Sequence, residues 1–293
     1  MSGLLTLEER ARLARLALRP RRRLPSDAPG GWRTGRVGHG VLFADHRPYA
    51  LGDDPRYVDW HVAARLGDLV VKRFESEEDL DLVLCVDRSL SMQGRKAFMA
   101  RRLAAALGHL ALDHLDRVRL SWLPALERAP SVPRRGPGAL VALLEALERT
   151  PEQGAARLGA VTAELLDGRR KALVAVISDF HSSSPAGQEP LAALRRLSAR
   201  GHEVLALHVV DAHDVELPPG TAVRAVDAES GVTLDLDVTP ELLEALRAGW
   251  SRRLGAFARA CSSAGIAHVR VEAAGTLWDA LRGLLVTGRI GRA

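Results

Sequence analysis

Two short stretches carry oxygen-bearing side chains at a spacing that can do chemistry. The first is Asp87-Arg-Ser89-Leu-Ser91, a carboxylate and two hydroxyls at positions i, i+2 and i+4. The second is Ser178-Asp179-Phe180. Carboxylate and hydroxyl oxygens are hard donors, suited to Mg2+ or Mn2+. Hydroxyls are neutral, so an ion held this way keeps much of its charge for water or for a partner's carboxylate. The competing reading is local, because Asp and Ser are favoured caps where a strand turns into a helix. Position favours a shared site: each stretch follows an apolar run long enough to be a buried strand.

Those runs are 81–86 and 172–177, and they suit the centre of a sheet covered on both faces. Further strands are read at 117–123, 204–210 and 267–271, with a hairpin of 222–226 and 232–236 across Glu229-Ser230-Gly231. Helices are read at 95–115, 139–147, 158–166, 190–199, 240–261 and 277–285. Alternating strands and helices predict the α/β class, with a mostly parallel central sheet and helices on both faces. In such sheets ligands bind beyond the carboxyl ends of the strands, where strand order reverses. Asp87, Ser89, Ser91 and Asp179 are therefore the candidate metal set.

The segments before the sheet differ in character. Residues 4–18 read as an amphipathic helix, with Thr6 and Glu9 as a capping box and Pro20 ending it. Residues 21–36 are an Arg-, Pro- and Gly-rich arm, and 37–78 are irregular apart from a short strand at 69–74. The expected organisation is a basic helix and arm at 1–36, an irregular segment at 37–78 packed on the sheet, and the α/β domain at 79–293.

Composition narrows the function classes. The 293 residues are 47% hydrophobic, enough for a sizeable core. The two cysteines, Cys85 and Cys261, lie among apolar residues and make neither a disulfide framework nor a zinc site. No apolar run approaches the roughly 20 residues of a membrane span, and no leader peptide is evident. A soluble, cytoplasmic protein is the expectation. The net charge of +5 is uneven, with nine Arg against Glu8, Glu9 and Asp27 in residues 1–36. A basic arm of this kind can bind nucleic acid, but no stacking aromatics or recognised module accompany it. The sequence has no P-loop, no Gly-x-Ser-x-Gly elbow and no His-x-Glu-x-x-His spacing. His208 to His213 and the nearby Asp211 and Asp214 read as a strand end and surface loop.

The stretch from Asp81 to Met92 resembles the first strand and metal-ion-dependent adhesion site of von Willebrand factor A domains. Gly38-His-Gly-Val-Leu-Phe-Ala-Asp-His-Arg-Pro-Tyr49, then Gly52-Asp-Asp-Pro-Arg-Tyr-Val-Asp-Trp60, then Val71-Lys-Arg-Phe-Glu75, resemble the signature of the bacterial "domain of unknown function, family 58" proteins. The resemblance implies a von Willebrand A-like, Rossmann-like fold. It also implies a non-enzymatic, chaperone-like role beside a MoxR-type AAA+ ATPase in the assembly or maturation of client proteins. Many members carry N-terminal membrane spans; this chain resembles the soluble branch. One departure stands out. The Thr that such sites take from a loop falls on Gly154-Ala-Ala-Arg-Leu158, where an Ala or Arg occupies its position. The adhesion-type site is then incomplete, and only Asp87, Ser89, Ser91 and Asp179 match.

The upstream motif has two compatible readings. Asp45, Arg47, Asp53, Asp54, Arg56, Asp59, Lys72, Arg73 and Glu75 can form an ion-pair set that orders the segment over Tyr49, Trp60 and Phe74, or they can contact a partner. A metal-dependent hydrolase using Asp87 and Asp179, with His181 as base, is the rival to a docking module. Nucleic-acid binding by the arm is the third reading.

Overall fold

The computed structural model describes residues 3–20, 42–50, 55, 58–75, 81–114, 116–124, 135–136, 138–155, 158–159, 171–181 and 189–292. They divide into two compact units, one of 28–79 and one of 1–27 with 80–293.

The larger unit is built on five parallel strands. β4 (Asp81–Asp87), β5 (Arg117–Leu123), β6 (Leu173–Ser178), β7 (Glu203–Val210) and β10 (Ala267–Glu272) lie in the order β10-β7-β6-β4-β5. The chain enters the sheet at β4, steps one way to the edge strand β5, then returns past β4 to β6, β7 and β10. Strand order therefore reverses between β4 and β6, whose carboxyl ends carry Asp87 and Ser178-Asp179. A crevice opens at such a point because the flanking connections leave on opposite faces.

Burial on both faces explains the uninterrupted apolar runs. Leu82, Leu84, Val86, Ala175 and Ile177 face one core, which α3 (Arg95–Asp113), α4 (Ala139–Arg149) and α7 (Leu277–Val286) complete. Val83, Cys85, Val174 and Val176 face the other, closed by α5 (Glu189–Ala199) and the end of α6 (Pro240–Ser263). Alternate side chains point to opposite faces of a strand, so a two-sided sheet needs apolar residues at every position. Cys85 and Cys261 are buried free thiols. At Gly108 in α3 an added Cβ would lie 2.3 Å from Leu143 Cδ2 of α4. The close approach of these two helices depends on the missing side chain.

The first helix, α1 (Leu7–Leu13), has the predicted Thr6–Glu9 capping box but stops well short of residue 18. Leu16–Leu18 instead form β1, antiparallel to β11 (Ile290–Arg292). The partner strand lies at the far end of the sequence, so leucine spacing within the segment gave no sign of it. β8 (Ala222–Val226) and β9 (Thr233–Asp237) pair as the expected hairpin. The predicted helix at 158–166 lies outside the described residues beyond Leu158 and Gly159.

In the smaller unit, β2 (Leu42–Pro48) and β3 (Val70–Glu75) pair antiparallel around α2 (Trp60–Leu66). The segment read as irregular thus holds a hairpin with a helix in its connection.

Candidate functional site

The loop after β4 is fixed by backbone and buried charge. Asp87 Oδ1 accepts the Ser89 N–H at 2.8 Å, a local turn of the kind that capping predicts. Arg88, 5% exposed, donates from Nε to the Pro124 carbonyl at 3.1 Å and from Nη1 to the Pro151 carbonyl at 3.3 Å. The Arg88 carbonyl accepts the Gln153 N–H, and the Leu90 N–H donates to the Gly154 carbonyl. The strand end is in this way stitched to the end of β5 and to the 151–154 loop. Ser89 and Ser91 hydroxyls lie 3.1 Å apart.

From β6, the Ser178 hydroxyl donates to Asp87 Oδ2 at 2.5 Å and accepts the Phe180 N–H at 2.9 Å. Phe180 takes a positive φ of 49°, which swings the chain sharply away from the strand. At Asp87 one oxygen holds its own loop and the other the neighbouring strand.

Asp179 faces different company. Its Oδ1 accepts the His181 N–H at 3.1 Å. Its Oδ2 lies 3.1 Å from Nζ of Lys96, the second residue of α3. Lys96 Nζ also lies 3.1 Å and 3.2 Å from the two carboxyl oxygens of Asp214, in the short helical turn after β7. The loop read as an ordinary surface feature thus supplies a carboxylate to the site.

The two carboxylates are shifted in opposite directions. Burial, reinforced by the charge of Asp179, pushes Asp87 up to about 7 against the Ser178 and Ser89 hydrogen bonds. Burial acts the same way on Asp179, but the neighbouring His181 and Lys96 outweigh it and hold Asp179 below its ordinary value. Burial also pulls His181 down, so the lasting positive charge beside Asp179 is the ammonium. Burial opposes the Lys96 charge too, yet Asp179 and Asp214 raise its pKa above the usual lysine value.

The rim is made by later elements. His181 stacks on Trp250 of α6, with ring centroids 5.2 Å apart. Glu229, at the tip of the β8–β9 hairpin, lies 3.4 Å from the Ser91 hydroxyl. Beneath, His208 of β7 sits 3.2 Å from His268 of β10, edge-on to Phe180. The sequence reading missed Lys96, Asp214, Arg88, Trp250 and Glu229 as site residues. Only Asp214, just beyond a strand end, carried a positional signal.

The predicted four-residue ligand set is therefore present but split. Asp87 meets Ser178, and the Ser89 and Ser91 hydroxyls meet each other, while Asp179 is claimed by Lys96. Both oxygens of both aspartates already have protein donors. The stretch Gly154-Ala-Ala-Arg-Leu158 carries no side-chain hydroxyl to supply a third. Among the described residues, no three His, Cys, Asp or Glu side chains are grouped to hold an ion. The residues present do not fit a divalent ion.

In the smaller unit the upstream motif is partly visible. Asp59 is buried and caps α2 by accepting the His61 and Val62 N–H groups, and its Oδ2 lies 3.0 Å from His46 Nε2. The Tyr49 N–H donates to the Leu69 carbonyl. By backbone register Asp45 lies opposite Arg73, Leu42 opposite Glu75, His46 opposite Lys72 and Arg47 opposite Val71. Trp60 was expected to pack beneath the segment, but it is 61% exposed, because the first residue of this short helix points outward. Asp53, Asp54 and Arg56 lie outside the described residues.

Fold and site together define a doubly wound α/β protein with buried carboxylates and hydroxyls at its switch point. The chain belongs to the family described as "Protein of unknown function DUF58", whose model matches residues 45–254. An uncharacterized protein of Mycobacterium tuberculosis is 32% identical over 228 residues, covering 69% of this chain and 70% of its own. One from Mycobacterium avium is 35% identical over 130 residues, 44% of this chain and 62% of its own. Among solved structures, the conserved hypothetical protein BatB from Bacteroides thetaiotaomicron aligns at 11% identity and a TM-score of 0.39, over 72% of this chain and 98% of its own. Among the described residues, no helix is long and apolar enough to cross a membrane.

Proposed function

We propose that this chain is a cytoplasmic, non-catalytic docking module with a von Willebrand A-like fold, acting with a MoxR-type AAA+ ATPase in the assembly or maturation of client proteins. The observation that carries the reading is the switch-point site. The Ser89–Ser91 loop is held rigidly from behind by Arg88, Ser178 and the 151–154 loop. In front of it the half-buried Ser91, His181 and Trp250 form a rim a partner can reach. A rigid polar floor with an aromatic rim suits the acceptance of a partner's side chain better than turnover of a small molecule. Both oxygens of each aspartate are occupied by structural hydrogen bonds, which leaves neither as an evident base for a bound substrate.

The reading is tested by measuring binding of the full chain to the MoxR-type ATPase encoded in the same genome, by biolayer interferometry. Ser91→Ala and Trp250→Ala are each expected to weaken binding at least tenfold while leaving the thermal midpoint within a few degrees. Unchanged affinity in both variants sinks the assignment of this face. Turnover of a phosphoester or ester panel by the wild type, lost in Asp87→Ala, would overturn the non-catalytic reading.

A further inference from the structure

We propose that Lys96 is the resident cation of the switch-point site, and that its ammonium does for Asp179 and Asp214 what a divalent ion would otherwise do. The inference rests on the site's own geometry, not on the docking reading.

Placement comes first. Lys96 belongs to α3, the long helix packed on the sheet, while Asp179 ends β6 and Asp214 follows β7. One ammonium therefore ties the start of α3 to the chain just beyond the carboxyl ends of β6 and β7. Its side chain is 8% exposed and that of Asp179 is 1% exposed. An ammonium has three donors and no acceptor, and here they face Asp179 Oδ2 and both oxygens of Asp214. A lysine held this way is a fixed part of the site, since withdrawing it would leave two carboxylates without their counter-charge.

Competition comes second. A cation approaching Asp179 would have to displace the ammonium, or share the carboxylate with a like charge about 3 Å away. The other face offers little in exchange. Asp87 Oδ2 is engaged by Ser178 and Oδ1 by the Ser89 N–H. The stretch Gly154-Ala-Ala-Arg-Leu158, where a third hydroxyl was expected, has none in its sequence, and the Gly154 carbonyl accepts the Leu90 N–H. The lysine and the missing hydroxyl point the same way: the site has exchanged an ion it would have to capture for a charge it carries.

Without the ammonium, Asp179 and Asp214 are two hard oxygen ligands left facing one another, the preferred environment of Mg2+ and Mn2+. Removing Lys96 should therefore create an ion site.

The test titrates Mn2+ against the full chain and reads free aqueous Mn2+ by electron paramagnetic resonance, with the thermal midpoint followed in parallel. The wild type is expected to take up no Mn2+ at about 1 mM, the weak end of protein sites. Lys96→Met is expected to bind one equivalent at least tenfold more tightly than the wild type, and to gain thermal stability when Mn2+ is added. The double variant Lys96→Met/Asp214→Asn removes one charge of each sign and gives the same reading, more weakly, should the single variant not fold by circular dichroism. One Mn2+ bound per wild-type chain and lost in Asp87→Ala overturns the proposal by itself, whatever the variants do. A folded Lys96 variant that binds no Mn2+ also overturns it. Neither outcome involves a partner, so the docking reading fails or survives separately.

Discussion

The carboxyl ends of β4 and β6 present the same side chain, an aspartate buried to within 2% exposure, and treat it in opposite ways. Asp87 is surrounded by neutral donors, a serine hydroxyl and a backbone N–H, and its pKa is pushed up to about 7. Asp179 has a lysine beside it and is held below the ordinary carboxylate range. Hydrogen bonds from neutral groups lower the energy of a buried anion, but here they do not offset desolvation together with a second carboxylate nearby. A full opposite charge does. The state of a strand-end aspartate is thus decided by what the adjoining elements bring to it, not by the strand that carries it.

The largest expected effect comes from breaking the charged half. Lys96→Met keeps much of the side chain's bulk and removes its charge, leaving Asp179 buried without a counter-ion. In metal-free buffer at pH 7 the variant should lose about 3–5 kcal/mol of unfolding free energy, measured by urea denaturation. A loss below about 1 kcal/mol, the range of a surface pair, would mean that the two strand ends do not differ as described.

Much of this arrangement was legible in the sequence. All five strands of the main sheet fall where they were read, β4 and β6 most clearly, because a strand buried on both faces has no polar position to blur the pattern. The pairing of Asp87 with the end of β6 followed from the same logic. What escaped was everything requiring contact between distant elements. Lys96 reads as one basic residue in an amphipathic helix, and only the packing of α3 against the sheet aims it at Asp179. Glu229 sits in a turn that the sequence shows clearly, without indicating that the tip reaches Ser91. β1 was absorbed into a helix because three residues cannot announce a partner some 270 positions away. Trp60 was assigned to a core on the strength of its size, but at the start of a seven-residue helix its neighbours do not cover it.

The second effect sharpens the comparison through pH. Asp87 is the group whose folded pKa is raised, from 3.8 to about 7. Between those values the folded state holds a proton that the unfolded chain has released. Its stabilising contribution is complete below pH 4 and is lost as pH rises toward 7, up to about 4 kcal/mol in all. Asp179, held low, keeps its charge across the same window and opposes the trend only in more acid solution. The stability of the wild type relative to Asp87→Asn, followed by chemical denaturation from pH 4 to 8, should therefore fall with rising pH. A constant difference would show that Asp87 is ionised throughout and that the two strand ends are electrostatically alike.

The smallest effect is the most discriminating. At pH 7.5 Asp87→Asn should lose no stability, because the variant sheds the burden of burying an anion. Its amide oxygen can still accept the Ser89 N–H. The amide nitrogen can donate to the Ser178 hydroxyl, which already accepts from Phe180 and has a second lone pair. Asp179→Asn, at the same pH, removes the charge that holds Lys96 and should lose about 1–3 kcal/mol, with Asp214 retaining part of the pairing. Side by side in one urea series, the two isosteric substitutions separate an aspartate kept for its hydrogen bonds from one kept for its charge. Equal losses would collapse that distinction, and a larger loss at Asp87 would invert it.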